Sequence, residues 1–321
     1  MTNPNKINPS DSTDYDPDID LGELFRVLWG RKIAIVIVTA IFTAGSLMIA
    51  VNLTDYYRSS TILKIEELDS KGMQVQSRGN AAIARMAGIT MGGGDVDKAL
   101  LALETIRSRV FLKHLMSFEG VTPALGAAIA FDKENQTMIY DTSAYNPETK
   151  TWIGDSPDSP GSPPTSQKLL RNYKVNVVQA WHDMASGTRY VHLSVTHVSP
   201  IFAKRLMDLV IHEYNEGERK RVIAESEASL KFLENELTKT SFLELKHSIN
   251  QLMQNQLEIQ MAARIKEDYI LRAIEPPFQP EVKYWPKKWL VVLLGALAGG
   301  FLSVAWIVVF NFFIPDYISE K

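Results

Sequence analysis

The chain has 321 residues, with 34 Lys and Arg against 37 Asp and Glu, and it contains no cysteine. The net charge of −3 argues against nucleic acid as a partner, because binding to a phosphate backbone needs an excess of basic residues. The lack of cysteine excludes disulfides, thiolate nucleophiles and Cys-ligated zinc or iron–sulfur sites.

Two uncharged segments are long enough to cross a membrane. They comprise 21 residues from Ile33 to Leu53 and 26 residues from Trp289 to Ile314, and a hydrocarbon core requires about 20 apolar residues. The first segment is too long for the apolar region of a cleaved signal peptide. The sequence therefore predicts transmembrane helices at 33–53 and 289–314, a cytoplasmic tail (1–32), a cytoplasmic stub (315–321) and an enclosed domain (54–288).

Basic residues near the two spans disagree about the orientation. Three precede the first span and favour a cytoplasmic N-terminus, whereas three others precede the second span on the domain side. The residues before the first span are Arg26, Arg31 and Lys32, and those before the second span are Lys283, Lys287 and Lys288. Because long translocated domains largely escape the charge rule, we expect the enclosed domain to lie outside the cytoplasm.

The first half of the enclosed domain alternates predicted elements with loops. Arg58 to Glu66 is rich in β-branched residues and predicts a strand. Apolar residues at helical spacing predict one helix from Lys98 to Phe118. Gly- and Ser-rich composition predicts a loop at 70–97, and five prolines predict another at 141–167.

The second half predicts a hairpin and a long helix. Strands at 173–181 and 189–198 are separated by a turn, and Ser199-Pro200 supplies a helix N-cap followed by a first-turn proline. The region 201–267 contains no proline, and as one helix it would extend about 100 Å. Such an arm needs either a fold-back, at 238–241, or neighbouring subunits to bury its apolar stripe. A strand at 268–275 completes a base formed by 54–200 and 268–288.

Catalytic and metal-binding patterns are missing or incomplete. No phosphate-binding G-x-x-x-x-G-K-[ST] loop occurs, and His212-Glu213 lacks the second histidine of a zinc helix, since Glu216 occupies that place. His192 and His197 lie five residues apart in a predicted strand and therefore point to opposite faces. We accordingly expect no enzyme activity, no catalytic or metal site and no cofactor.

Small residues in the second span indicate helix packing. Gly295 and Gly299 lie one turn apart, followed by Gly300, and such spacing lets two helices approach closely. We expect these glycines to contact another span, in a sister subunit or a partner, although an incidental glycine pair is an equally open explanation. Four prolines before this span predict rigid coupling between domain and membrane. They are Pro276, Pro277, Pro280 and Pro286.

The segment from Ile19 to Lys32 (IDLGELFRVLWGRK) resembles the entry segment of the polysaccharide co-polymerases, the Wzz or chain-length determinant family. The residues that carry this resemblance are Asp20, Leu21, Leu24, Leu28, Trp29 and Lys32. Agreement extends to Leu103–Arg109, to Ser199-Pro200-x-x-Ala203 and to the proline-spaced approach to a Gly-rich second span. The Gly-rich insert near 88–94 and the Pro-rich loop at 147–164 match nothing in the family pattern.

The resemblance implies an α+β fold in which two transmembrane helices flank a periplasmic domain with a membrane-proximal α/β base and a long helical arm. It implies an inner-membrane protein with cytoplasmic ends and a homo-oligomeric ring. It also implies a non-enzymatic role, with a Wzy-type polymerase, in setting the length of a lipid-linked O-antigen or related glycan. Because no kinase domain with Walker motifs follows, it points to the kinase-free branch.

Three alternatives remain open from the sequence. One is a co-polymerase adaptor for capsule or exopolysaccharide export that acts with a separate kinase. Another is a two-span sensor whose enclosed domain binds a ligand. The last is an enzyme, which metal- or nucleotide-dependent turnover would reveal.

Overall fold

The computed structural model describes Arg26 and residues 28–65, 95–153, 161–182, 190–266 and 269–312. The helices are α1 (Lys32–Asn52), α2 (Asp95–Ile106), α3 (Arg109–Leu115), α4 (Val121–Ala127), α5 (Ser166–Asn172), α6 (Pro200–Lys239), α7 (Leu243–Ile265) and α8 (Lys288–Phe312). The strands are β1 (Tyr57–Ile65), β2 (Ala128–Asp132), β3 (Thr137–Tyr140), β4 (Tyr145–Asn146), β5 (Thr151–Trp152), β6 (Val178–His182), β7 (Tyr190–His197) and β8 (Leu271–Ala273). The mixed helix and sheet fold predicted from the sequence is confirmed.

Contacts divide the chain into two compact units. One unit contains α1 and α8 and comprises Met1–Leu53 and Lys287–Lys321, and the other comprises Thr54–Pro286. Both α1 and α8 are long enough and apolar enough to cross a membrane. They coincide within a few residues with the two predicted spans.

The second unit is built on a four-stranded antiparallel sheet. Its strand order is β6-β7-β1-β8, so the predicted hairpin of β6 and β7 lies beside the predicted first strand. Alternate residues of β1 are buried, from Tyr57 to Ile65, as expected for a strand with one face on the core. The turn expected at 186–187 lies outside the described residues.

The core forms where α6 packs on this sheet. The N-terminal part of α6 buries apolar residues at helical spacing, including Phe202, Leu206 and Val210, against Leu63 and Leu193 of the central strands. Ser199 caps the helix by accepting a 3.2 Å hydrogen bond from the backbone N–H of Phe202, and Pro200 is the first helical residue. This confirms the helix start that the sequence predicted.

Four predicted elements of this unit need correction. The helix expected at 98–118 is divided into α2 and α3, and Ser108 caps α3 by accepting a 3.1 Å hydrogen bond from Phe111 N–H. The first part of the strand expected at 173–181 is a π-helical turn, Tyr173–Val177, before β6 begins. The loop expected at 141–167 contains the paired short strands β4 and β5, whereas 154–160 lie outside the described residues. Of the 70–97 loop, the part described, from Asp95, is already helical.

The long helix folds back, which is one of the two ways of burying its apolar stripe that the sequence left open. The α-helical backbone ends at Lys239, and α7 begins at Leu243, so the break falls at the predicted weak stretch. A separate cluster of Leu233, Ile249 and Leu252, each at most 1% exposed, joins the two helices. Arg219 donates a 2.7 Å hydrogen bond to the carbonyl of Lys266, where α7 returns alongside α6. We call the part of α6 beyond Tyr214, the connection at 240–242 and α7 together the helical arm.

Candidate functional site

The first candidate site is the contact between the two apolar helices, α1 and α8, within one chain. A Cβ atom built at Gly295 would lie 2.3 Å from the Cβ of Ser46, and one at Gly299 would lie 2.6 Å from the Cβ of Phe42. Real carbon atoms in contact are separated by about 3.5–4.0 Å. Both glycines therefore permit a backbone approach that no larger residue would allow.

Gly300 of α8 and Gly45 of α1 set the limits of this contact. A Cβ at Gly300 would meet only the hydroxyl of Thr39, at 3.9 Å, which is ordinary contact. On α1, Gly45 has nothing within 4 Å of the Cβ position. The close approach is therefore confined to Gly295 and Gly299, and the helix they contact in the structure is α1 of the same chain. Contact with a sister subunit or a polymerase stays a prediction.

Hydroxyl groups in the helix pair are satisfied locally. Thr43 donates to the carbonyl of Thr39 at 2.7 Å, Ser46 to that of Thr43 at 2.9 Å, and Ser303 to that of Gly300 at 2.7 Å. Each bond stays within one helix, so none of these hydroxyls needs water. Most large apolar side chains of the pair face outward, as Phe301 does at 77% exposed. Such a surface fits hydrocarbon rather than water.

The residues of the predicted entry motif are only partly described. Asp20, Leu21 and Leu24 lie outside the described residues. Trp29 is exposed, and the Lys32 ammonium lies 4.9 Å from the centre of its ring, a cation–π geometry at the start of α1. Both side chains combine an apolar body with a polar end, which suits the boundary of a membrane.

The second candidate site is the proline segment, 276–286, which runs beside β1. Ser59 donates a 2.8 Å hydrogen bond to the carbonyl of Phe278, and Thr61 donates another to the carbonyl of Glu275. Near the end of the segment, the N–H of Tyr284 donates to the carbonyl of Tyr56, whose own N–H donates to Trp285, both at 2.8 Å. The segment is thus fastened to the base along its length, with Pro280 and Pro286 buried.

Next to this segment is a cleft that the sequence did not reveal. Its volume is about 420 Å³, and we call it the base cleft. The side chains that define it are Tyr56, Arg58, Gln179, Thr196, Tyr284 and Trp285. They come from β1, β6, β7 and the proline segment, so no run of neighbouring residues marked the cleft in advance.

Arg58 is the central polar group of the base cleft. Its Nε donates to the hydroxyl of Thr196 at 3.1 Å, and one Nη donates to the Oε1 of Gln179 at 3.0 Å. Its guanidinium carbon lies 3.6 Å from the centre of the Tyr284 ring, so cation and ring are stacked. Because both acceptors are neutral, these bonds hold the guanidinium in place without neutralising its charge.

A buried histidine closes the inner side of the base cleft. His197 is 6% exposed, donates from Nε2 to the carbonyl of Ala124 at 2.9 Å, and accepts at Nδ1 from Ser199 N–H at 3.1 Å. Burial lowers the pKa of His197 to about 4. The ring is therefore neutral near pH 7 and helps to place the residue that caps α6.

The histidines and carboxylates considered as catalytic or metal groups are held in pairs. Glu213 accepts a 2.6 Å contact from His114, whereas His212 lies 4.0 Å from its other oxygen, and Glu216 pairs with Arg219. His192 is half-buried on the opposite face of β7 from His197. Within the described ranges, no group of three His, Cys, Asp or Glu side chains is arranged to hold a metal ion.

Fold and site together define a class: an α+β domain placed in sequence between two apolar helices of membrane-spanning length, with a folded-back helical arm. Comparison with protein families makes this specific. Residues 17–117 match the family model of the chain length determinant protein, Wzz. The match includes the entry motif, α1, β1 and α2, and it confirms the family resemblance recognised at residues 19–32.

Solved structures of the same description are among the similar folds. A full-length bacterial polysaccharide co-polymerase has 13% identity and a TM-score of 0.44, over 91% of this chain and 97% of that one. A fragment of WzzB, a polysaccharide co-polymerase from Salmonella Typhimurium, has 11% identity and a TM-score of 0.30, over 72% and 100%. A search of curated proteins found no significant match.

Proposed function

We propose that the protein is a non-enzymatic regulator of polysaccharide chain length, of the O-antigen type found in lipopolysaccharide. The observation that carries the proposal is the family match over residues 17–117, which begins in the entry motif and includes the first apolar helix. A second helix of membrane-spanning length, α8, follows the α+β domain, as the family resemblance requires.

In this proposal the chain lies in the bacterial inner membrane. The tail (1–32) and the stub (315–321) are cytoplasmic, α1 and α8 cross the membrane, and the domain at 54–288 is periplasmic. Several copies form a ring that acts with a Wzy-type polymerase on a lipid-linked glycan. Exposed apolar residues on the helical arm, such as Phe242 at 76% and Ile265 at 77%, support contacts between copies.

The test is a lipopolysaccharide ladder gel of the source strain, of a deletion of this gene and of the complemented deletion. A clustered band distribution that becomes short and unregulated on deletion, and returns on complementation, is the expected result. Loss of capsule or secreted polysaccharide with an unchanged ladder would instead identify the export adaptor. No change in either glycan would refute a role in polysaccharide length.

The same gel tests the helix pair. Replacing Gly295 and Gly299 with leucine should disturb length control, because the α1–α8 contact has no room for side chains. Gly45→Leu is the matched control, since its Cβ position is open. An unchanged ladder from the Gly295 and Gly299 variant, at normal protein level, would remove the helix pair from the mechanism.

A further inference from the structure

The base cleft has the dimensions and the lining of a small-molecule site. Its volume of about 420 Å³ falls within the range of roughly 300–1,000 Å³ that is usual for such sites. Its lining combines aromatic rings with side-chain amide and hydroxyl groups. Sites of this kind use the rings for contact area and the polar groups for orientation.

The aromatic residues that line the cleft are exposed rather than packed. Trp285 is 52% exposed and Tyr284 is 47% exposed. The rings of Tyr56 and Trp285 are in tilted contact, with 5.9 Å between their centres, and this contact holds the indole. A large aromatic ring that is held but uncovered offers a flat apolar face. The C–H face of a sugar ring is an apolar surface of matching shape.

The polar residues that line the cleft favour a negative group on the ligand. The described residues that line it include Arg58 but no Asp or Glu, and the bonds of Arg58 go to the neutral oxygens of Thr196 and Gln179. A planar guanidinium recognises carboxylate and phosphate groups through paired hydrogen bonds. With the ring of His197 neutral, Arg58 supplies the positive charge of the cleft.

The position of these groups in the sequence agrees with a role in glycan handling. Tyr56 follows the end of α1 by four residues, and Trp285 precedes the start of α8 by three. The aromatic residues of the cleft therefore adjoin, along the chain, the two helices that we propose to cross the membrane. A growing lipid-linked glycan begins at a membrane surface, so residues next in sequence to the two membrane-crossing helices suit its recognition.

From these observations we propose that the base cleft binds a saccharide that carries an acidic group. A sugar ring stacks on Trp285, and its carboxylate or phosphate pairs with Arg58. The inference rests on the proposed function for the source of the glycan and assigns a binding site to it. No bond is made or broken in this step, which is recognition alone.

The test is titration calorimetry of the full chain in lipid nanodiscs with trigalacturonate, a uronic acid trisaccharide. Neutral maltotriose and inorganic phosphate are the comparison ligands. We expect trigalacturonate to bind at least about tenfold more tightly than either, because a charge-assisted contact and a stacked ring act together. Equal binding of maltotriose would overturn the acidic preference, and binding of phosphate alone would reduce the cleft to an anion site.

Variants connect this binding to the cleft. Trp285→Ala and Arg58→Gln should each weaken trigalacturonate binding by about tenfold, and Arg58→Lys tests the cation with fewer changes to the fold. Matched controls are Tyr190→Ala, an exposed aromatic residue at the start of β7 that does not line the cleft, and Arg109→Gln, an exposed arginine at the start of α3. Equal losses in the controls, or no binding by the unmodified chain, would refute the proposal.

The calorimetry and the ladder gel fail independently. If the ladder depends on the gene but trigalacturonate does not bind, the saccharide site is refuted and the proposed function stands. If trigalacturonate binds through Trp285 and Arg58 but deletion of the gene changes neither the lipopolysaccharide ladder nor the capsule or secreted polysaccharide, the binding site stands. Its assignment to chain-length control is then refuted.

Discussion

The contact between α1 and α8 gives a prediction whose size follows from one distance. Adding a methyl group at Gly295 places a Cβ 2.3 Å from the Cβ of Ser46, more than 1 Å inside normal contact. The helices must separate, at a cost of about 1–3 kcal/mol for such overpacking. Gly45→Ala adds the same methyl group to α1 with nothing within 4 Å, so it should be neutral or gain up to about 1 kcal/mol of helix propensity.

The absence of cysteine makes the assay direct, because two introduced cysteines have no competitors. The Cβ position of Gly300 lies 3.9 Å from the Thr39 hydroxyl, close enough for Thr39→Cys and Gly300→Cys to be joined after small adjustments. We expect a disulfide within one chain in membranes, followed by mass and gel mobility. Gly295→Ala should slow its formation, and a further Ser46→Gly, which removes the clashing atoms, should restore it.

Two results would refute this reasoning. A disulfide that joins two chains in preference to one would place the glycines between subunits, as the sequence allowed. An intrachain disulfide that forms at the same rate with and without Gly295→Ala would show that the helices do not touch at Gly295. Gly45→Ala in the same cysteine background controls for a general effect of extra volume in either span.

Three further predictions concern the domain. Burial lowers the pKa of His197 from its ordinary value of 6.5 to about 4. The buried neutral ring therefore costs no stability above pH 6.5, and the free energy of unfolding falls by up to about 3 kcal/mol as the pH drops from 6.5 toward 4. Thermal unfolding of His197→Gln should therefore depend less on pH in this window, and an unchanged slope would contradict the assignment. In the arm, Leu252→Ala should lower the free energy of unfolding by about 2–5 kcal/mol and speed hydrogen exchange in α7. Leu257 is already 45% exposed, so Leu257→Ala should do neither. Asn215 makes three hydrogen bonds to the backbone at Ile270 and Leu271. Asn215→Ala should therefore lower the free energy of unfolding by about 1–3 kcal/mol, and hydrogen exchange should rise first in β8. An equal rise in exchange across the whole domain would contradict this prediction.

The features that the sequence predicted well are those with a local cause. An uncharged run of about 20 residues can do little other than form an apolar helix, and Ser199-Pro200 carries both the cap and the fixed backbone angle of a helix start. These two features follow from neighbouring residues alone. The fold-back was predicted at 238–241 only as one alternative to neighbouring subunits, because a long amphipathic helix can bury its stripe in either way.

The features that the sequence missed depend on distant partners. The turn at Tyr173–Val177 has the β-branched composition of a strand, but the Tyr173 hydroxyl is buried and donates a 2.9 Å hydrogen bond to the carbonyl of Ile106. Burial raises the pKa of Tyr173 far above its ordinary value, in keeping with a phenol held as a donor. The division of α2 from α3 has instead a local cause, because Ser108 caps α3, but Ser108 is neither Gly nor Pro, so no ordinary helix breaker marked it.

The glycines of α8 illustrate why a motif can be predicted while its partner cannot. Spacing shows that Gly295 and Gly299 share a face and leave room for a backbone, but any helix with small residues would satisfy that condition. The structure fills the space with Ser46 and Phe42 of α1. Because the glycine face of α8 is occupied within the chain, any contact of this helix with another protein would use its other faces. Those faces carry large apolar residues such as Leu297, at 61% exposed, and Phe301, so association between copies would depend on shape matching of bulky side chains rather than on close backbone approach.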